Sequence, residues 1–308
     1  MPELPDVTVY VESIAARAAG QPLHGVRVAS PFVVRTFDPP LGAAAGKRVL
    51  EVRRLGKRIV FALEDGLFLV IHLMIAGRFK WVEAGAKIPG KVGLAALDFP
   101  SGTLLLTEVA TKKRASIHLA RSLDEFRRGG IEALDCTLGE FEAALRRENH
   151  TLKRALTDPR LFSGIGNAYS DEILHRAKLS PALLTQKMSA DDVRALFEST
   201  RAVLREWTDR LRAEARDRFP ERVTAFRDDF AVHGKYRQPC PVCGTAVQRI
   251  AYADNETNYC PRCQTGGKLL SDRSLARLLH DDWPRTIEEL EEKFPAPRKG
   301  RQESKGRR

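Results

Sequence analysis

A chain of 308 residues, 43% hydrophobic and 30% charged, has room for two domains with separate cores and the composition of a soluble globular protein. It holds no run approaching the ~18 uninterrupted apolar residues of a membrane span and no charged-then-apolar leader, so the expected location is cytoplasmic. The formal net charge of +11 points to a polyanionic partner, most often nucleic acid.

The first residues, MPELPDV, place two prolines and two acids ahead of an apolar run. Removal of Met1 would leave Pro2 as the N-terminus with the carboxylate of Glu3 beside it, although a frayed terminus is the plainer reading of such a stretch. From Asp6, a plausible N-cap, through Ala19, apolar side chains at Val9, Val11, Ile14, Ala15 and Ala18 follow a helical period. Strand-like runs come next: KRVLEVRRL, KRIVFAL, LFLVIHLMIAGRF, LAALDF and TLLLTEV. The turns Glu64-Asp65-Gly66 and Pro100-Ser101-Gly102 between them predict antiparallel hairpins, so residues 1–130 read as a β-sandwich preceded by a helix. Lys57 lies between two of these runs in Arg53-Arg54-Leu55-Gly56-Lys57-Arg58, and Lys112-Lys113-Arg114 forms a second basic cluster. Either cluster can neutralise backbone phosphates without regard to sequence.

From about residue 137 the period turns helical, and 131–234 is expected to be a helical domain. Gly164 and Gly166 free the backbone for a tight turn before NAYSDEILHRAKL, where Asn167 can cap the following helix. A helix N-terminus there suits a phosphate, while a simple connection between helices explains the glycines as well. Ser189 and Asp192 form a capping-box pattern ahead of the longest helical stripe. Two CxxC pairs follow, Cys240/Cys243 and Cys260/Cys263, separated by sixteen residues. In a reducing compartment this spacing indicates one structural Zn2+ held by four thiolates, with a β-hairpin joining the two turns over 235–268. Cys136 stands alone and reads as a small buried residue. Residues 269–294 suggest a short helical appendage. Residues 295–308, with six Lys/Arg against one Glu, suggest a disordered basic tail that carries five of the net positive charges.

Taken in order, MPELPDV, Lys57 on its hairpin, IHLMIAGR, LKRAL with SGIGNAYSDEIL, CPVCGT and NYCPRCQ resemble the formamidopyrimidine-DNA glycosylase and endonuclease VIII family of base-excision repair enzymes, over roughly residues 1–265. The resemblance implies an α+β fold: an N-terminal β-sandwich joined to a helix–two-turn–helix domain with a zinc finger. It implies a bifunctional DNA glycosylase and apurinic/apyrimidinic lyase in which Pro2 is the nucleophile, forming a Schiff base, Glu3 the acid/base and Lys57 a phosphate holder that assists elimination. His72 and Asn167 would complete a phosphate clamp. The partner would be damaged or abasic DNA, double- or single-stranded, bound by a monomer. Certain positions depart from the family pattern. Asn255 stands where relatives usually have a phosphate-gripping arginine, and Ile75 where a methionine wedge is common. Thr107–Arg114 replaces the usual void-filling loop, and residues 219–236 lack a glycine-rich lesion-capping loop. A lyase with little base excision, and a non-catalytic zinc-dependent DNA-binding protein, are the alternatives these departures keep open.

Overall fold

The computed structural model describes residues 1–221, 227–252, 255–270 and 284–293. Helix α1 (Leu4–Ala18) begins three residues earlier than an N-cap at Asp6 would place it. Its N-cap is Glu3, not Asp6: Asp6 occupies the third helical position and accepts the Glu3 amide at 2.9 Å. Pro5 adds to the start, since a missing N–H costs nothing in a first turn.

Eight strands form two four-stranded antiparallel sheets, β2-β3-β4-β8 and β1-β6-β7-β5. The first contains β2 (Val49–Leu55), β3 (Arg58–Leu63), β4 (Leu67–His72) and β8 (Ser116–Ala120). The second contains β1 (Gly25–Val28), β5 (Gly77–Val82), β6 (Gly93–Phe99) and β7 (Gly102–Glu108). The Glu64–Gly66 turn works as the Asp-Gly pair predicts, with φ of +59° at Asp65 and +68° at Gly66. The long run from Leu67 is two strands rather than one. It breaks where Met74 takes φ +53° and the Gly77 amide turns back to Leu73 O at 2.9 Å.

The helical part contains α2 (Leu138–Arg146), α3 (Leu152–Thr157), α4 (Asn167–Arg176) and α5 (Ala190–Ala215). The Ser189/Asp192 capping box is present, and Thr137 with Glu140 forms another on α2. Strands β9 (Gln248–Ala251) and β10 (Glu256–Tyr259) pair antiparallel as the finger hairpin, and α6 (Pro261–Thr265) follows. Of the expected appendage, a short helix at Ile287–Lys293 is described; residues 271–283 and the 295–308 tail lie outside the described residues. No helix among the described residues is long and apolar enough to cross a membrane.

Two large cores result. The sandwich core takes Val7, Tyr10 and Ile14 of α1 together with the inward residues of both sheets. The helical core takes Leu4 from the same helix, with Phe141, Phe162, Tyr169 and Trp207. Helix α1 is therefore shared between the two cores, which fixes the residue just before it at their junction.

Candidate active site

Glu3 is 2% exposed and lies at the N-terminus of α4, not in solvent. Its Oε2 accepts the amides of Gly166 (2.6 Å) and Tyr169 (3.3 Å), and its Oε1 accepts that of Ala168 (2.9 Å). These are the orphan donors of a helix start. The expectation for this helix is corrected in two respects. Its N-cap is Gly166, with Asn167 the first helical residue, and the anion seated on its amides is the carboxylate of Glu3, the N-cap of α1. The Leu4 amide also donates to Gly164 O at 2.9 Å, so the segment before α1 is pinned to the Gly-Ile-Gly turn. Gly164 needs its φ of +81° to make that turn, whereas Gly166 needs room. A methyl group there would lie 2.6 Å from Glu3 Oε1 and would collide with Lys57 Nζ.

Lys57 and Gly56 form the two-residue turn between β2 and β3, Gly56 having φ +61°. The amine thus comes up to Gly166 from a rigid hairpin, and the Glu3 carboxylate lies against the same glycine. Burial pushes the Lys57 pKa down, opposed by Glu3 and reinforced by Lys153. Pro2 is buried beside them. Burial likewise lowers the terminal amine at Met1; Glu3 opposes this and Arg78 adds to it. Asp6, which holds the Glu3 amide, is fully buried, and that burial raises its pKa to about 7.

His72 ends β4 and lines a cleft of about 540 Å3 together with Met1, Lys57, Arg58, Arg127 and Arg128. Burial first, then Arg58 and Lys57, lowers the His72 pKa to about 4, so near neutral pH it is an uncharged donor rather than a cation. Asn167 is engaged elsewhere: its Nδ2 donates to Glu256 O of β10 at 2.9 Å. The structure therefore places Lys57 and His72 in one cleft with Met1, leaves Pro2 and Glu3 buried behind Met1, and turns the Asn167 side chain toward the finger.

Sequence reading missed Lys153. It is 9% exposed, and its Nζ bonds Asn167 O (2.7 Å) and Asp171 Oδ1 (2.5 Å). The available signal was its place beside Leu152, Ala155 and Leu156 in a short apolar helix, where a lone cation requires an acidic partner. Asn255 is exposed at the β9–β10 turn, its carbonyl accepting the Tyr252 amide at 2.7 Å. Ile75 (52% exposed) and Val109 (78%) stand at the loops beside paired strands β5 and β7.

The sulfur atoms of Cys240, Cys243, Cys260 and Cys263 all lie within 4.8 Å of one another, with Cys240–Cys263 at 4.0 Å and Cys243–Cys260 at 3.3 Å. A tetrahedral zinc with Zn–S bonds of about 2.3 Å separates its sulfurs by about 3.8 Å, so the set fits one structural zinc ion. Zinc there fastens the two turns of the hairpin and takes no part in bond making.

A sandwich core and a helical core with an acid and an amine at their junction, and a four-thiolate zinc hairpin beyond, have the layout that the sequence resemblance implies. Comparison with known proteins agrees along the chain. Residues 1–119 match the formamidopyrimidine-DNA glycosylase N-terminal domain, 130–213 the formamidopyrimidine-DNA glycosylase H2TH domain, and 237–266 the zinc finger found in FPG and IleRS. Formamidopyrimidine-DNA glycosylase of Thermus thermophilus is 33% identical over 276 residues, 87% of this chain and 100% of that protein. The enzyme of Solibacter usitatus is 31% identical over 280 residues, 86% and 99% of the two chains. The structure of Lactococcus lactis Fpg with DNA containing an abasic site superposes with a TM-score of 0.75 at 25% identity, covering 85% of this chain and 99% of that one. The chain belongs to the formamidopyrimidine-DNA glycosylase family, whose members are base-excision repair enzymes.

Proposed function

We propose that this glycosylase excises a damaged base and then cleaves the abasic strand, using the secondary amine of Pro2, freed by loss of Met1, as nucleophile. The amine attacks C1′ of the damaged nucleotide as the bond to the base breaks. Glu3 protonates the sugar ring oxygen, opening the ring and leaving a positively charged imine on Pro2. That imine acidifies the neighbouring C2′–H. Loss of this proton expels the 3′ phosphate, and water then releases the enzyme. Lys57, with its lowered pKa, holds the departing phosphate and supplies a proton. Neutral His72 donates to a flanking phosphate, while Asn167, whose Nδ2 is given to Glu256 O, holds the finger hairpin at the start of α4. The observation that carries this reading is the convergence of the Glu3 carboxylate and the Lys57 ammonium over Gly166, one residue from Pro2.

The substrate is damaged or abasic DNA, taken by a cytoplasmic monomer. The work divides between a catalytic sandwich (1–130), a DNA-gripping helical domain (131–234) and the finger (235–268). A narrower reading, a lyase with little base excision, is favoured by Asn255, which brings no charge to the finger turn. Oligonucleotides carrying single lesions or an abasic site, as single strands and as duplexes, separate the two. Base release with strand cleavage supports the first reading. Cleavage of the abasic strand alone supports the second, and no cleavage of any of them refutes both.

A further inference from the structure

Helix α4 holds the active-site carboxylate at its N-terminus and the finger along one face. Residues 167, 171 and 175, spaced by one turn and a fraction, stack on that face. Asn167 reaches Glu256 O of β10. Asp171 Oδ2 accepts the Asn258 amide at 3.2 Å and pairs with His233 Nδ1 at 2.8 Å. Next to them, Glu172 accepts the amides of Ala231 (2.8 Å), Val232 and His233 (2.9 Å each), the chain that leads into the finger. One turn on, His175 Nε2 lies 3.2 Å from Cys240 Sγ, with both residues buried at 6% and 2% exposure.

We propose that His175 is an outer-sphere residue of the zinc site, donating Nε2–H to the Cys240 thiolate and so fastening the metal centre to α4. A zinc-bound cysteine has lost its proton, so its sulfur can only accept and the shared hydrogen resides on Nε2. Zinc with four thiolates carries two net negative charges. Cys240 sits among Val232 and Val247, where water cannot offset that charge. A fixed N–H donor withdraws charge from the sulfur and holds the ligand in place, the role outer-shell partners have at metal centres. His175 is a positioning residue: it touches neither substrate nor reacting atoms.

The test is the rate at which zinc passes from the purified holoprotein to a chromogenic chelator. His175→Phe keeps a ring of similar size without the donor and should release zinc on the order of 10–100-fold faster. His175→Gln retains an N–H at similar reach and should stay close to the wild-type rate. Release by the Phe variant at the wild-type rate, or release by the Gln variant as fast as by the Phe variant, overturns the proposal. NMR of the wild-type holoprotein with labelled histidine gives a check that needs no variant. It should find the His175 ring proton on Nε2 and slow to exchange; a ring unprotonated at Nε2 contradicts the assignment.

Discussion

Because a methyl group on Gly166 would meet Glu3 Oε1 at 2.6 Å and drive into Lys57 Nζ, Gly166→Ala must displace the acid, the amine or the helix end that holds them. Misplacement of reacting groups by an ångström costs about 100-fold in rate. Single-turnover cleavage of an abasic strand should therefore fall by at least about that factor while the variant stays folded; near-normal cleavage would mean the two groups need not converge. His72 offers a test by pH. Its folded pKa is lowered to about 4 from the ordinary 6.5, so between those values the unfolded chain binds a proton that the folded chain does not. Stability must then rise with pH across that window. His72→Gln should flatten the wild-type slope between pH 4 and 6.5 and leave stability at pH 8 nearly unchanged, as measured by denaturant unfolding at each pH. An unchanged slope would show that the ring titrates normally.

At the level of elements, the finger is a small unit with its own cluster of Val232, Val247 and buried cysteines, separate from the sandwich core. Cys260→Ser should release zinc, seen by metal analysis, and weaken DNA binding while the sandwich keeps its cooperative unfolding; full zinc content in the variant would refute the four-thiolate site. Much of this level was legible in sequence. The two CxxC pairs, the Asp-Gly turn and the Ser189 box are local signals, and each was realised locally. Strand β1 was not read, because four residues, Gly25–Val28, are too few to establish a period and half of them stay exposed. The break inside the Leu67 run was hidden for another reason. Gly77 is required there because a side chain would strike Leu73 O, a close approach set by the turn and not by the apolar pattern.

On the scale of the whole molecule, α1 belongs to both cores, so the sandwich and the helical part cannot shift independently without moving Glu3. Composition and motif order could say which residues matter, but not that Glu3 caps a helix 163 to 166 positions away. That contact is tertiary and leaves no trace in local spacing, which is also why a phosphate was expected at the start of α4. The central claim is that Pro2 itself bonds to DNA. Borohydride reduction of the processed protein in the presence of abasic-site DNA, followed by peptide mapping, tests it most directly. The account predicts an adduct on residue 2, and none there when Met1 is retained and the Pro2 nitrogen remains an amide. No adduct from the processed protein, or an adduct on Lys57 with the Met1-retaining form equally active, would contradict it.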